Sequence, residues 1–395
     1  MVRDGVQIQI GSELLKALLP LPFLLNSITI ALVIFTRASK LTLSNLTYHI
    51  AANSLLARQQ VKRLRPLPDL SEIQLFNPIL SVNFRTTRDK MPFTIITGSF
   101  HVVGYSPDGD SVRFGADKPD LFTALEGPTP RLNARGHVQL RIEAVDTLET
   151  HYNAGSGAGE LRQPALFAEK ATNLLLDFLG IKNVEWNASH KQVVSADDGT
   201  RGFILTRAVE KNRRPVAFVF TGDAPGPDGS DFRLTPEFLE RSYNFHVLEE
   251  GLAYATYYWG LFFDLRDKMT AAVTSARSKK LGLYAKDTTT TAFTVRTIAD
   301  LTDNLVLMPK LFRRLSEYFA STGSVVGFKK TLEKSREPVL EIKTANFTHF
   351  DTFIEQAEGS STLRLKVNPE ALVFDAMPTR MGNAFTALVE GLVGH

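Results

Sequence analysis

The chain has 395 residues, 44% of them apolar and 22% charged, which are the proportions of an ordinary folded protein with room for two or three cores. Cysteine is absent, which excludes disulfide staples, thiolate metal sites and a cysteine nucleophile. The net charge of +3 is unevenly spread: residues 1–90 carry eleven Lys/Arg against five Asp/Glu, so the rest is net negative and can attract polyanions only through local basic patches.

The first 90 residues differ in character from the rest of the chain. "ALLPLPFLLNSITIALVIFT" (17–36) approaches the roughly 20 apolar residues a membrane helix needs, but Pro20, Pro22, Asn26 and Ser27 weaken that reading. Asp4 and Glu13 spoil a signal peptide's positive start, and no small-residue cleavage site comes after the apolar stretch. A soluble, cytoplasmic chain is therefore the favoured expectation, and an exported or membrane-anchored one the alternative. Met91 directly precedes the first strongly patterned strand and is a candidate start, which would make residues 1–90 an upstream extension.

From Pro92 on, strand signals dominate. "FTIITGSFHVVGY" (93–105) is rich in β-branched and aromatic residues, and "PDGD" (107–110) supplies a turn before "SVRF". In "HVQLRIEAV" (137–145) Val138, Leu140, Ile142 and Ala144 alternate with polar residues, which predicts one buried face and one free for chemistry. "QPALFAEKATNLLLDFLG" (163–180) reads as a helix between Pro164 and Gly180. Two strands, 202–208 and 216–220, flank the basic turn "EKNRR". A helix starting at Thr235–Pro236 runs to Gly251, and another spans about 262–281. Strands, helix, strands and two helices suit an α+β domain, 91–286, built on a small closed barrel of the OB type. Beyond "TTTT" (288–291), an apolar helix near 298–321, the strands "PVLEIKTA" and "TLRLKV" and a final helix predict a separate C-terminal α+β unit, 287–395.

The chemistry gathers at two places. Asp108, Gly109 and Asp110 form a tight turn, and Asp146, Thr147 and Glu149 follow the end of a strand that also carries Arg141. Two aspartates and a backbone carbonyl give a loose site for a hard cation such as calcium, with positions left for water and a phosphate oxygen. An acid short of the metal, such as Glu149, can activate water. Arg141 lies roughly 17 Å from Asp146 if the chain is fully extended, a gap that barrel coiling shortens. A planar guanidinium suits phosphate, and a second one is available in Arg213 or Arg214. "GSGAG" (155–159) lacks the strand and helix context of a phosphate loop, and the eight histidines show no zinc spacing.

"PDGDSVRF", "RIEAVDTLET" and "RRPVAFVF", in that order, resemble the thermonuclease (staphylococcal nuclease-like) family, with its D-G-D-T turn, R-x-x-x-x-D-T-P-E strand end and G-R-G-x-A-Y turn. "EEGLAYATYYW" and "SARSKKLGLYAKD" are similar to its Q-G-L-A and K-K-L-x-x-W segments, so the likeness covers about 93–286. The resemblance implies a five-stranded OB-fold-like barrel with helices and a calcium-dependent nuclease that cuts DNA and RNA with little sequence choice. It makes Asp110 and Asp146 calcium ligands with the Thr147 carbonyl, Glu149 the water activator, and Arg141 and Arg214 the phosphate clamps. Lys211, Tyr257 and Trp259 fall where the family holds a terminal phosphate and stacks on a base. Leu148 and Ser111 depart from the family's proline and threonine, and Arg213 and Pro215 from its glycines. A non-catalytic nucleic-acid- or protein-binding module on the same barrel is the alternative.

Overall fold

The computed structural model describes residues 92–155 and 159–375. The whole N-terminal extension, 1–90, with its apolar stretch 17–36, the middle of the "GSGAG" loop and most of the expected final helix lie outside the described residues.

Strand β1 (Phe93–His101) buries Phe93, Ile95, Ile96 and Phe100 and pairs antiparallel with β2 (Arg113–Ala116) across the turn that holds Asp108. The strand expected over 137–145 is broken into β3 (Val138–Gln139), β4 (Arg141–Ile142) and β5 (Val145–Thr147). β2 pairs with β3, while β1 pairs on its other edge with β6 (Thr200–Val209), and β6 with β7 (Pro215–Thr221). β7 then runs parallel to β4, matching Val216 with Arg141. The path β3-β2-β1-β6-β7-β4 begins and ends on one short stretch of chain, because Leu140 alone separates β3 from β4. The result is a nearly closed, barrel-like sheet of six strands, where five were expected because the two short pieces read as one.

Closing so small a sheet needs tight coiling, and two paired glycines permit it. Gly98 faces Gly202 in the β1–β6 register. A Cβ on Gly98 would lie 2.2 Å from the Gly115 carbonyl oxygen, and one on Gly202 would lie 2.3 Å from that of Phe220.

Helices pack against the barrel at β7. Helix α1 (Ala165–Leu179) buries Ala168, Ala171, Leu175, Leu176 and Leu179 and stops at Gly180, whose φ of 70° suits a residue without a Cβ. The helix expected from Thr235 to Gly251 is two: α2 (Pro236–Leu239), capped by Thr235, and α3 (Tyr243–Glu249), capped by Ser242 through the Phe245 N–H. The chain then passes through β8 (Ala253–Ala255), which pairs with β5, and β9 (Tyr257–Tyr258) into α4 (Phe263–Ser278).

The long C-terminal helix expected near 298–321 is also interrupted. A π-type turn, Asp300–Asn304, gives way to extended residues before α5 (Pro309–Thr322), because Pro309 has no N–H to continue a helix and disfavours helical geometry at Met308. Helix α6 (Phe328–Ser335) leads to the hairpin β10 (Pro338–Glu341) and β11 (Asn346–His349) and, later, β12 (Leu372–Phe374).

These C-terminal residues are tied to the barrel segment by strand pairing and ion pairs. β12 pairs parallel with β9 and antiparallel with β10. Arg277 of α4 is bound to Asp287 at 2.7 Å and Glu370 at 2.8 Å, and the described residues fall in one compact unit. No helix among the described residues is long and apolar enough to cross a membrane.

Candidate active site

The first half of the site is the turn Asp108–Ser111, closed by a 3.3 Å bond from the Asp108 N–H to the Ser111 carbonyl. It is pressed into the protein at Gly109, where a Cβ would lie 2.6 Å from Ala171 Cβ and 2.7 Å from Thr147 Cγ2. The buried Tyr243 hydroxyl donates to the Gly109 carbonyl at 2.7 Å, fixing the turn over α1. The residue without a side chain is thus the one that allows two aspartates so close to β5.

The second half is the end of the broken strand. Ala144 takes a left-handed φ of 62°, so the chain turns after β4 and β5 leaves the barrel to pair with β8. That bend replaces the extended separation of Arg141 and Asp146 with a contact: Arg141 Nη2 is 3.8 Å from Asp146 Oδ1, and Nη1 is 3.6 Å from Asp110 Oδ2. Asn244 of α3 holds the bend, donating to the Glu143 and Ala217 carbonyls at 2.8 and 3.1 Å and accepting from the Val219 N–H at 2.9 Å. Asp146 is fully buried. Glu149 is oriented through its backbone: its N–H donates to Gln163 Oε1 at 3.2 Å, the Gln163 N–H returns a bond to its carbonyl, and Gln163 Nε2 donates to the Leu307 carbonyl.

Four carboxyl groups therefore crowd together, and their charges interact. Burial, opposed by Arg313 and reinforced by Asp110 and Asp146, pushes the Glu149 carboxyl up to about 7. Asp108 is driven well above the carboxylate range by burial and then by Asp110 and Glu149. Burial disfavours the charge on Arg141, but Asp110 and Asp146 outweigh it and hold the guanidinium more firmly protonated.

The structure adds a residue that the sequence did not suggest. Arg313, on α5, forks onto Asp146, with Nη1 3.1 Å from Oδ1 and Nη2 3.1 Å from Oδ2, and Nη1 also forms an ion pair with Glu149. No local motif marks Arg313, which lies 167 residues from Asp146 in sequence. Gln163 and Tyr258 were missed as well. Gln163 is a lone amide, and Tyr258 was hidden behind its neighbour.

The remaining expected residues are distributed unevenly. Thr147 is buried and its backbone lies in the ladder opposite Ala253. Arg214 donates through Nε to Glu210 at 3.0 Å within the β6–β7 turn, where Lys211 is exposed; among the described residues neither forms an ion pair with the acids. Arg213, the other candidate, has a left-handed φ of 65° and donates to the Thr129 carbonyl at 2.8 Å. Tyr257 does not present its ring for stacking. It is fully buried, with its hydroxyl 2.8 Å from Thr270 Oγ1 and 3.1 Å from the Arg266 carbonyl, because alternation along β9 turns it into the core. Tyr258 has the outward orientation instead, its ring 5.8 Å from the Arg141 guanidinium and 5.3 Å from Lys310 Nζ. Trp259 is 46% exposed.

Carboxylates and a backbone carbonyl are the donors that a hard cation prefers. Their arrangement in this structure does not admit one, since both oxygens of Asp146 are engaged by Arg313. Among the described residues no group of three or more His, Cys, Asp and Glu side chains is set to hold a metal ion. A cleft of about 240 Å³ adjoins the site, lined in part by Pro107, Thr150, Gln163 and Trp186. No family model and no curated protein matches the chain.

Proposed function

We propose that this chain is a nucleic-acid phosphodiesterase built on a barrel of the OB type, a reading supported by the way the β3–β4 stretch closes the sheet on itself. Within that class it is a calcium-dependent nuclease of the thermonuclease kind, acting on DNA and RNA with little sequence choice. One observation carries the reading. Asp110, Asp146 and Glu149, from a turn and a strand end, gather with Arg141 around one spot, as the resemblance implies.

Glu149, with its carboxyl near neutrality, is poised to take a proton from water at physiological pH. Arg141 faces the same spot and would stabilise charge growing on the phosphate oxygens. Arg214 serves as the second clamp on leaving Glu210, Lys211 meets a terminal phosphate from the same turn, and Trp259 offers a ring face to a base. Calcium belongs to the reading through the donor types of Asp110, Asp146 and Thr147. Those residues would hold the ion once Arg313 has left Asp146 and Glu149, while proton transfer and phosphate binding fall to the chain's own side chains. We place the protein in the cytoplasm, which cell fractionation would test.

The test is degradation of plasmid and RNA with calcium, with chelator, and by Glu149→Gln. The expected result is calcium-dependent cleavage that the substitution abolishes, and Arg141→Met should lower the rate about a hundredfold or more. Cleavage of equal strength in chelator refutes the calcium requirement. A second reading, a non-catalytic nucleic-acid-binding module, is favoured by the ion pairs that tie Asp146 and Glu149 to Arg313. It predicts retardation of oligonucleotides in gels without cleavage, by the natural chain and by every variant that frees the acids.

A further inference from the structure

We propose that Arg313 is a built-in counter-ion that holds the carboxylate site shut, and that a divalent cation enters only when this guanidinium leaves. The use of the site rests on the nuclease reading, but the exchange of one cation for another does not.

The geometry is that of a fork meeting a fork. Two nitrogens of Arg313 lie 3.1 Å from the two oxygens of Asp146, and one of them also pairs with Glu149. One side chain therefore engages both the central acid and the acid expected to activate water. Arg141 approaches Asp146 from another side at 3.8 Å and reaches Asp110 at 3.6 Å. A divalent ion drawing on the same Asp146 oxygens would sit beside a fixed positive charge in a space where Asp146 is wholly buried, and repulsion there is weakly screened. The negative charge can serve the guanidinium or the ion, not both at full strength.

The contact is also built to be broken. Helix α5 is anchored by Leu311, Phe312 and Leu315, all fully buried, whereas the Arg313 side chain retains 21% of its exposure. It can swing outward without undocking the helix. Asp110 and Asp146 are then left with Arg141 as their remaining cation, beside the freed Glu149, which leaves an excess of negative charge to draw a cation in.

The experiment uses the full chain as the natural protein, Arg313→Met, Arg313→Lys and the double variant Arg313→Met with Asp146→Asn. Calcium binding is followed by titration calorimetry, manganese binding by electron paramagnetic resonance, and folding by near-ultraviolet circular dichroism. Arg313→Met should bind calcium about tenfold more tightly than the natural protein, or better. Arg313→Lys, which keeps a charge but loses the fork, should fall between, and the double variant should lose the gain. Equal affinities in the natural protein and a folded Arg313→Met, or no binding by that variant, overturn the proposal; if Arg313→Met does not fold, the same comparison is made with Arg313→Lys. If Arg313→Met gains calcium yet cleaves neither DNA nor RNA, the nuclease reading fails while the counter-ion stands. If both proteins cleave with the same calcium requirement, the counter-ion fails and the nuclease reading stands.

Discussion

Tyr257 and Tyr258 are adjacent, have the same side chain, and do opposite things. On a strand successive residues point to opposite faces, so a shift of one position exchanges a core residue for a site residue. Tyr257 spends its hydroxyl on Thr270 and the Arg266 carbonyl inside the protein, while Tyr258 lies between Arg141 and Lys310. Tyr257→Phe should therefore cost about 1 kcal/mol in urea unfolding, the worth of a buried hydrogen bond, and leave cleavage and oligonucleotide binding unchanged. Trp259→Ala should do the reverse. It should leave stability nearly intact and weaken binding of a single-stranded oligonucleotide by about 1 to 3 kcal/mol, measured by fluorescence anisotropy. A loss of binding in Tyr257→Phe with full stability would show that its hydroxyl reaches the substrate after all.

At the scale of elements, the segment 137–149 decides whether the site exists. A single extended strand would leave Arg141 and Asp146 far apart, and the left-handed bend at Ala144 brings them to 3.8 Å. The bend is secured by Asn244, one amide satisfying two carbonyls and an N–H from the bend and β7. Asn244→Ala removes the side-chain partner of the Glu143 carbonyl and the Val219 N–H in a buried place, while the Ala217 carbonyl keeps the Glu143 N–H. It should cost about 2 to 4 kcal/mol in chemical denaturation and, by letting β5 shift, lower activity further than the loss of folded protein explains. Normal specific activity per folded molecule would mean that β8 alone positions Asp146. The existence of the strands and helices was legible in the sequence, because alternation and capping residues are local signals. Their breaks were harder to see. Ser242 and Pro309 carry signals that were overridden by the apolar pattern around them, whereas the bend at Ala144 depends on Asn244, distant in sequence, and on β8.

At the scale of the whole molecule, the acids and Arg141 were legible because they lie within two short motifs, and the C-terminal contribution was not, because nothing local to Arg313 or Lys310 refers to residues so distant. Lys310 illustrates the consequence. Only 7% exposed, it sits 2.7 Å from Glu337 and over the rings of Tyr258 and Phe374, so one cation joins α5, the start of β10, β9 and β12. Burial tends to raise the Glu337 carboxyl, but Lys310 and then Arg314 overcome it and hold the pKa below the ordinary value of 4.5. A carboxylate depressed in the folded state binds fewer protons folded than unfolded, so its contribution to stability is full above about pH 4.5 and is lost as the pH falls through the folded value. Lys310→Met leaves Glu337 buried with Arg314 as its remaining partner, at 3.3 Å. The variant should be about 1 to 3 kcal/mol less stable than the natural protein at pH 7. The gap should narrow below about pH 4.5, where the carboxyl left with Arg314 alone takes up a proton and its buried charge disappears. Urea unfolding of both proteins from about pH 7 to about pH 3.5 measures this directly. A gap that stays constant with pH would assign the role of Lys310 to packing of its stem against Tyr258 and Phe374, with the ion pair contributing nothing to the join between α5 and the strands around it.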